Sequence, residues 1–196
     1  INKFLDIKDR KPDYGKDINQ LRPTPCHICL YLGFKGNIDE TEATASNQWI
    51  FETWDHEKMV WDAANRNSVA PCLYVSFPTK KDLVSHSNGL NQFTAEVVTF
   101  VPWEQFEKWK DTTIRKRGDD YNEFKLSMQT RVLAQMKKHF PKLMEKMIIC
   151  EFSTPLSTVF YCESPSGSIY GLEATPNRFL FDDLRPHTPV KGYYLS

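Results

Sequence analysis

The sequence Cys26-His27-Ile28-Cys29 has the residue types of half a metal site. Zinc needs four ligands, and the sequence contains no second CxxC pair and no HxxxH pair to supply the others. The apolar alternation around the two cysteines predicts a strand, in which three residues span roughly 10 Å and place the two sulfur atoms on opposite faces. Cys26 and Cys29 can then share neither a metal nor a disulfide. We therefore expect both cysteines to be structural, and no metal site.

Motifs for other chemistry are absent from the sequence. The eight glycines include no GxGxxG and no GxxxxGK[ST], so neither a dinucleotide fingerprint nor a phosphate loop is encoded. No GxSxG turn is present for a serine nucleophile. Ser85-His86-Ser87 places a base beside hydroxyl groups, but no acid is evident that would orient the histidine. The sequence predicts no self-contained active site.

The composition excludes several classes of protein. Hydrophobic residues make up 40% of the 196 residues and aromatic residues 13%, which excludes a disordered chain. Basic and acidic residues both number 25, and this zero net charge argues against a nucleic-acid partner. The longest apolar runs, 28–32 and 97–101, are far shorter than the roughly 20 residues of a membrane span. With no secretory leader visible and five irregularly spaced cysteines, we expect a reducing compartment and a cytoplasmic or peripheral membrane location.

Before Val101 the pattern is that of strands separated by loops. Residues 1–25 are polar and dotted with prolines, and we interpret them as an irregular lead-in. Ile28, Leu30, Leu32 and Phe34 alternate on one face, as in a half-buried strand. Asp55 resembles the N-cap of a helix through Asn65. The other predicted segments of this half are strands over 49–54, 72–77 and 94–101, the last apolar on both faces and therefore central, and loops over 39–47 and 78–91.

After Val101 the apolar period changes to that of helices. Residues 102–110 predict an amphipathic helix, and Asp120 with Glu123 predicts a capping box for a long second helix that Pro141 ends. The apolar stripe of this second helix comprises Phe124, Met128, Val132, Met136 and Phe140. The remaining predicted segments are strands over 148–152 and 167–172, a helix over 155–161 begun by Thr154-Pro155, a helix start at Thr175-Pro176 and an apolar tail over 193–195.

These elements predict an α+β fold, with a mixed, largely antiparallel sheet of five to seven strands covered by helices. We expect a single domain over 1–196, in which 26–196 follow the lead-in. Residues 104–147 carry eleven bases against seven acids, but this excess is spread around two helices and is typical of a solvated face.

Seven short phrases, in this order, resemble the phytoene desaturase-like flavoproteins, a family that includes carotenoid desaturases, carotenoid isomerases and retinol saturase. The resemblance covers roughly residues 21–196. The phrases are Tyr31-Leu32-Gly33; Ser76-Phe77-Pro78 with Lys81-Asp82; Phe106-x-x-Trp109; Arg117-Gly118-x-x-Tyr121-x-x-x-Lys125; Ser153-Thr154-Pro155-Leu156; Gly167-x-x-Tyr170-Gly171; and Leu184-Arg185-Pro186 to Leu195.

This resemblance implies the substrate-binding domain of a larger FAD-dependent enzyme that acts on a polyene. In the family a Rossmann unit binds FAD and a second domain covers the flavin. This sequence resembles the second domain alone, excised at the two points where the chain passes between the domains. We expect its partners to be an apolar polyene, the FAD-binding domain of the same chain and, as a possibility, a membrane surface. FAD itself is expected in the parent protein and not on this fragment. The alternative is a free-standing carrier of an apolar ligand, without catalysis.

The resemblance also implies candidate site residues. A strand matching Gly167–Gly171 passes beside the flavin ring in the related amine-oxidase fold, so Ser168, Ile169, Tyr170 and Gly171 are expected to face the ring or the substrate. Thr154 and Leu156 match a phrase near the same cavity, although capping of a helix also explains Thr154. The residues that can wall an apolar slot, or alternatively form the core, are Leu73, Val75, Phe77, Val97, Thr99 and Val101.

Overall fold

The computed structural model describes residue 18, residues 20–82 and residues 91–195. The Ser85-His86-Ser87 segment, most of the predicted loop over 78–91 and most of the predicted lead-in lie outside these residues. The chain divides into two compact units, one of Pro25–Ile169 and one that joins Ile1–Thr24 to Tyr170–Ser196. The single domain over 1–196, with its lead-in and its substrate-binding part over 26–196, stays a prediction.

The larger unit contains a five-stranded antiparallel sheet, which confirms the α+β fold class. Its strand order is β2-β3-β4-β1-β5, so β4 and β1 lie inside the sheet, as predicted for the doubly apolar β4. The strands are β1 (Cys26–Lys35), β2 (Gln48–Phe51), β3 (Cys72–Ser76), β4 (Gln92–Val101) and β5 (Met147–Ser153).

Helices cover one face of this sheet. The described helices are α1 (Pro78–Lys81), α2 (Asp119–His139), α3 (Pro141–Met144), α4 (Pro155–Cys162) and α5 (Pro176–Leu180). The predicted stripe of α2 is confirmed, since Met128, Val132 and Met136 are buried in the same core as the even-numbered residues of β1. Burying such a stripe against a sheet is what stabilises a long helix in a globular domain. No helix among the described residues is long and apolar enough to cross a membrane.

The start of α2 differs from the predicted capping box. Its N-cap is Gly118, whose φ of +92° is accessible to glycine at little cost. Asp120 instead accepts hydrogen bonds from the indole Nε1 of Trp109 at 3.0 Å and from Lys108 at 3.1 Å. The carboxylate that the pattern assigned to the helix terminus therefore ties α2 to the preceding segment.

The predicted helix over 55–65 is wrong. The chain makes a single turn at Asp55 and then forms an isolated parallel bridge between Val60 and Phe100, with Trp61 buried. Arg131 of α2 donates to the carbonyl oxygens of Ala63, Asn65 and Ser68 at 2.7–3.0 Å, and its guanidinium lies 4.5 Å from the centre of the Trp61 ring. An arginine that is distant in sequence therefore holds this segment in its irregular conformation.

Two further predicted elements are wrong in type. Residues 102–110 form two short 3₁₀ turns, Trp103–Gln105 and Glu107–Trp109, although Phe106 and Trp109 are buried as predicted. The strand over 167–172 is replaced by a 3₁₀ turn at Pro165–Gly167. Positive φ angles at Ser166, Gly167 and Gly171 interrupt extended backbone there. Gly167 is also required by space, because a Cβ atom would lie 2.8 Å from the carbonyl oxygen of Pro155.

The smaller unit contains α5 and a 3₁₀ turn over Asp182–Leu184. Thr175 caps α5 as predicted, and its hydroxyl accepts from the amide of Arg178 at 3.4 Å. Thr24 holds the two segments of this unit together, since its amide and hydroxyl both donate to the carbonyl of Gly171. The tail forms an isolated bridge between Tyr194 and His187 in place of a strand.

Candidate ligand-binding face

The sheet has two unequal faces because side chains alternate along each strand. The face beneath α2 holds the residues that were predicted either to line an apolar slot or to form the hydrophobic core. The core alternative is confirmed: Leu73, Val75, Phe77, Val97 and Val101 belong to the buried core and Thr99 is 2% exposed on the same face. The opposite face, here called the open face, carries the alternate residues of the same strands.

An apolar row crosses the open face at right angles to the strands. Register pairs Trp49 of β2 with Tyr74 of β3, Tyr74 with Val98 of β4, Val98 with Cys29 of β1, and Cys29 with Ser153 of β5. Trp49 is 54% exposed, and its ring meets that of Tyr74 edge to face at 5.0 Å. Strand spacing makes the row roughly 14 Å long from Trp49 to Cys29.

A second row lies beside the first. It carries Phe51 of β2, paired with Cys72, and Phe100 of β4, paired with His27. Phe51 is 45% exposed and borders a cavity of about 300 Å³ that is also lined by Glu52, Trp54 and His56. The two rows together, here called the apolar stripe, form a surface two residues wide that ends at this cavity. Binding sites for small apolar ligands typically have this composition and size.

A polar row borders the stripe on its other side. Ser76 of β3 pairs with Glu96 of β4, Glu96 pairs with Tyr31 of β1, and Tyr31 pairs with Glu151 of β5. Burial raises the pKa of Cys29 to about 11, and burial with the nearby Cys29 and Glu96 raises the pKa of Tyr31. Both groups therefore stay protonated at neutral pH.

The CHIC segment lies as the sequence predicted. Cys26 is in the core, where its thiol donates to the carbonyl of Val101 at 3.1 Å and burial raises its pKa to about 12. Cys29 is on the open face, and all five cysteines are free. Among the described residues, no group of three or more His, Cys, Asp or Glu side chains is arranged to hold a metal ion.

The candidates around Gly167 lie in different surroundings. In the larger unit, Ser168 is buried, bridges to Cys26, and its carbonyl accepts from the Ser164 hydroxyl; Ile169 is half-buried. In the smaller unit, Tyr170 is 74% exposed and its amide donates to Thr24, while Gly171 is exposed with a φ of +68°. Their role toward a flavin or substrate stays a prediction.

Thr154 and Leu156 are buried at the start of α4. The Thr154 hydroxyl is hydrogen-bonded to that of Tyr121 at 2.8 Å, and its amide donates to Ser157 Oγ at 3.4 Å. Leu156 is 1% exposed, and its carbonyl accepts from Arg117 at 3.4 Å. Protein groups account for the contacts of both residues, and a ligand-facing role for them also stays a prediction.

The family resemblance implies FAD, whose pyrophosphate normally lies at a helix N-terminus behind a glycine-rich turn. The N-terminus of α2 carries Asp119 and Asp120, which repel phosphate. The N-terminus of α4 is buried beneath the Thr154 contacts. The described residues therefore do not fit the pyrophosphate of FAD.

One face of the sheet is sealed by α2, and the other carries the exposed aromatic residues Trp49 and Phe51 beside a floor in which Cys29 is buried. This second face is the candidate ligand surface. No protein-family model matches the chain. All-trans-retinol 13,14-reductases from Danio rerio and Rattus norvegicus are 27% and 24% identical to it over 193 residues, which is 94% of this chain. An inactive all-trans-retinol 13,14-reductase from Danio rerio is 23% identical over 195 residues.

The chain is homologous to the retinol 13,14-reductases, which confirms the resemblance to the phytoene desaturase-like family. It spans about a third of the length of these curated relatives, since the matches cover 32% of each. Relatives named as reductases and one named as inactive share this region. Likeness over these residues is therefore shared by relatives named as active and as inactive.

Proposed function

We propose that this chain is the substrate-binding domain of a larger FAD-dependent oxidoreductase. That enzyme acts on the C=C bonds of a polyene, a retinoid or carotenoid, by saturation, desaturation or isomerisation. The observation that carries the proposal is the apolar stripe on the open face, next to which the described residues supply no dinucleotide site. The homologous retinol 13,14-reductases support the reaction class.

The stripe suits what such a reaction needs from a substrate domain. Hydride exchange between a carbon chain and a flavin depends on an apolar, water-excluding surface that fixes the chain at the ring. Trp49, Phe51 and Phe100 supply flat apolar contacts, and Val98 supplies the floor between them. The rest of the longer protein would hold FAD over this face. We expect it to work in the cytoplasm or on a membrane surface, where polyenes are available.

Charge placed on the stripe tests whether the open face binds a polyene. Val98→Lys puts an ammonium group in the middle of the apolar row, and Thr94→Lys puts the same group on the same face of β4 outside the stripe. We expect Val98→Lys to weaken binding of all-trans-retinol at least tenfold, measured by quenching of tryptophan fluorescence, and Thr94→Lys to leave it within twofold. Circular dichroism and thermal unfolding check that both variants fold. If Val98→Lys binds all-trans-retinol as tightly as the wild type does, the binding site is not on this face.

The coding sequence on either side of these 196 residues distinguishes the enzyme from the free-standing carrier. An upstream GxGxxG and a glycine-rich segment directly after Ser196 support the enzyme. A start codon before Ile1 and a stop codon after Ser196 would overturn the enzyme in favour of a free-standing carrier of an apolar ligand.

A further inference from the structure

The cavity at the end of the apolar stripe is walled by aromatic rings. It measures about 300 Å³ and is lined by Phe51, Trp54 and His56, together with Glu52 and Thr53. The rings of Phe51 and His56 meet at 73° with their centroids 5.0 Å apart, so they form two adjoining walls. Trp54 is 95% exposed, and its indole is the third ring at this cavity, here called the aromatic cleft.

The side-chain acceptors of the aromatic cleft are already used by the protein. Glu52 accepts through both carboxylate oxygens, Oε1 from His139 and Oε2 from Lys138. The hydroxyl of Thr53 accepts from the amide of Asp55 at 3.1 Å. A cation with N–H groups loses hydration at such a site and gains few hydrogen bonds in return, which is unfavourable. The aromatic cleft therefore disfavours a primary ammonium group.

Ring faces attract a cation that needs no hydrogen bond. The face of an aromatic ring is the negative end of its quadrupole, and several rings around one cation recognise quaternary ammonium groups in proteins. Among the described residues that line the aromatic cleft, none is a lysine or an arginine. Glu57, directly after His56, adds an exposed negative charge nearby. The charge of the surroundings thus favours a cation, and the rings supply most of the contact.

We propose that the aromatic cleft is a binding site for a quaternary ammonium group, such as the trimethylammonium end of choline or of a choline lipid headgroup. The positive charge lies against the rings of Phe51, Trp54 and His56. Methyl groups stand where a primary ammonium group would carry N–H donors, for which the side-chain acceptors are already engaged. This site does not rest on the proposed function, because it takes a different chemical group whether or not the stripe holds a polyene.

Three small molecules test the charge and the methyl groups separately. Choline has both, its neutral isostere 3,3-dimethylbutanol has the shape without the charge, and ethanolamine has the charge without the methyl groups. Saturation-transfer NMR of the purified chain at pH 8, above the ordinary titration range of histidine, should show choline bound about fivefold more tightly than either of the others. Equal affinities for choline and 3,3-dimethylbutanol, or for choline and ethanolamine, would overturn the proposal.

Variants of one ring assign the binding to the aromatic cleft. Trp54→Ala removes a wall and should weaken binding of choline about fivefold, whereas Trp54→Phe keeps a ring and should retain most of the affinity. Tyr161→Ala is the matched control, because Tyr161 is 68% exposed on α4 and does not line the cleft; it should leave the affinity unchanged. Thermal unfolding checks that the variants fold, as expected at exposed positions. Full affinity of Trp54→Ala, or an equal loss in Tyr161→Ala, would overturn the site.

Vesicles distinguish a lipid from a free molecule as the source of the group. Co-sedimentation with vesicles of phosphatidylcholine but not of phosphatidylethanolamine, lost in Trp54→Ala, supports a lipid headgroup in the aromatic cleft. Binding of choline without binding of either vesicle supports a free quaternary ammonium compound. Equal co-sedimentation with both lipids that Trp54→Ala leaves unchanged would overturn the headgroup as the ligand.

Discussion

Glu52, directly after β2, is a carboxylate that accepts three side-chain hydrogen bonds. It accepts from Lys138 at 2.6 Å, from His139 at 2.7 Å and from Gln135 at 3.4 Å, all on α2. Partial burial acts to raise the pKa of Glu52, but the hydrogen bonds from Lys138, His139 and Gln135 outweigh it and lower the pKa to about 2. One side chain thus ties an outer strand to the helix that covers the sheet.

This depressed pKa makes stability depend on acidity. Because the folded pKa lies below the ordinary value of 4.5, the stabilisation is complete above pH 4.5 and is lost as the pH falls toward 2. Glu52→Gln should lower the free energy of unfolding by about 1–2 kcal/mol at pH 7, a modest loss because Lys138 is largely exposed and screened. The loss should be much smaller at pH 2.5, where most of the stabilisation by Glu52 is already gone. Urea unfolding at both pH values measures this. Glu57→Gln, at an exposed acid of the same segment, should change neither value, and an equal loss at both pH values for Glu52→Gln would contradict the linkage.

Helix α2 is the element on which the covered face depends. Val132 is 1% exposed at the centre of its stripe, and Leu126 on the same helix is 62% exposed. Val132→Asp buries a carboxylate without a partner and should cost about 3–5 kcal/mol in the free energy of unfolding. Leu126→Asp should cost less than about 1 kcal/mol. Thermal and urea unfolding of the two variants give the comparison, and similar losses for both would show that this face of α2 is not sealed.

Elements with a long, regular apolar period could be predicted from the sequence. The even residues of β1 and the four-residue spacing of α2 each give one apolar side, and burial of that side decides the element. The predictions for short segments were wrong where a distant residue fixes the backbone. Arg131 binds the carbonyl oxygens of Ala63, Asn65 and Ser68, and Gly167 has a positive φ and packs closely against Pro155 within a predicted strand. Neither partner is visible within the window of residues that defines a local pattern.

The candidate ligand face was missed for a related reason. Sequence alternation shows that β4 is apolar on both sides, and it does not show which side a helix will cover. The sequence does contain a signal for this face, because the large aromatic residues Trp49, Phe51 and Phe100 alternate with the core residues of β2 and β4. Their meaning depends on the order β2-β3-β4-β1-β5, which aligns them in rows and is a property of the whole sheet.

For the whole molecule, the acidic start of α2 and the buried start of α4 predict weak affinity for FAD. Titration of the purified chain with FAD should give no saturable quenching of flavin fluorescence. The longer protein should bind FAD stoichiometrically if the proposed function holds. Submicromolar binding of FAD by these 196 residues alone would contradict the assignment of the flavin site to the rest of the longer protein.

The strand order also governs how the molecule folds. The inner strand β1 is the first strand among the described residues, and its two neighbours, β4 and β5, begin 66 and 121 residues after β1 begins. Neither of the two strands that flank β1 can therefore form a local hairpin with it. The centre of the sheet forms only when long segments of the chain close into loops. Domains dominated by such distant pairings fold in milliseconds to seconds. During synthesis β1 leaves the ribosome before either neighbour and has no sheet partner until β4 follows, and unpaired apolar strands of this kind are prone to aggregate.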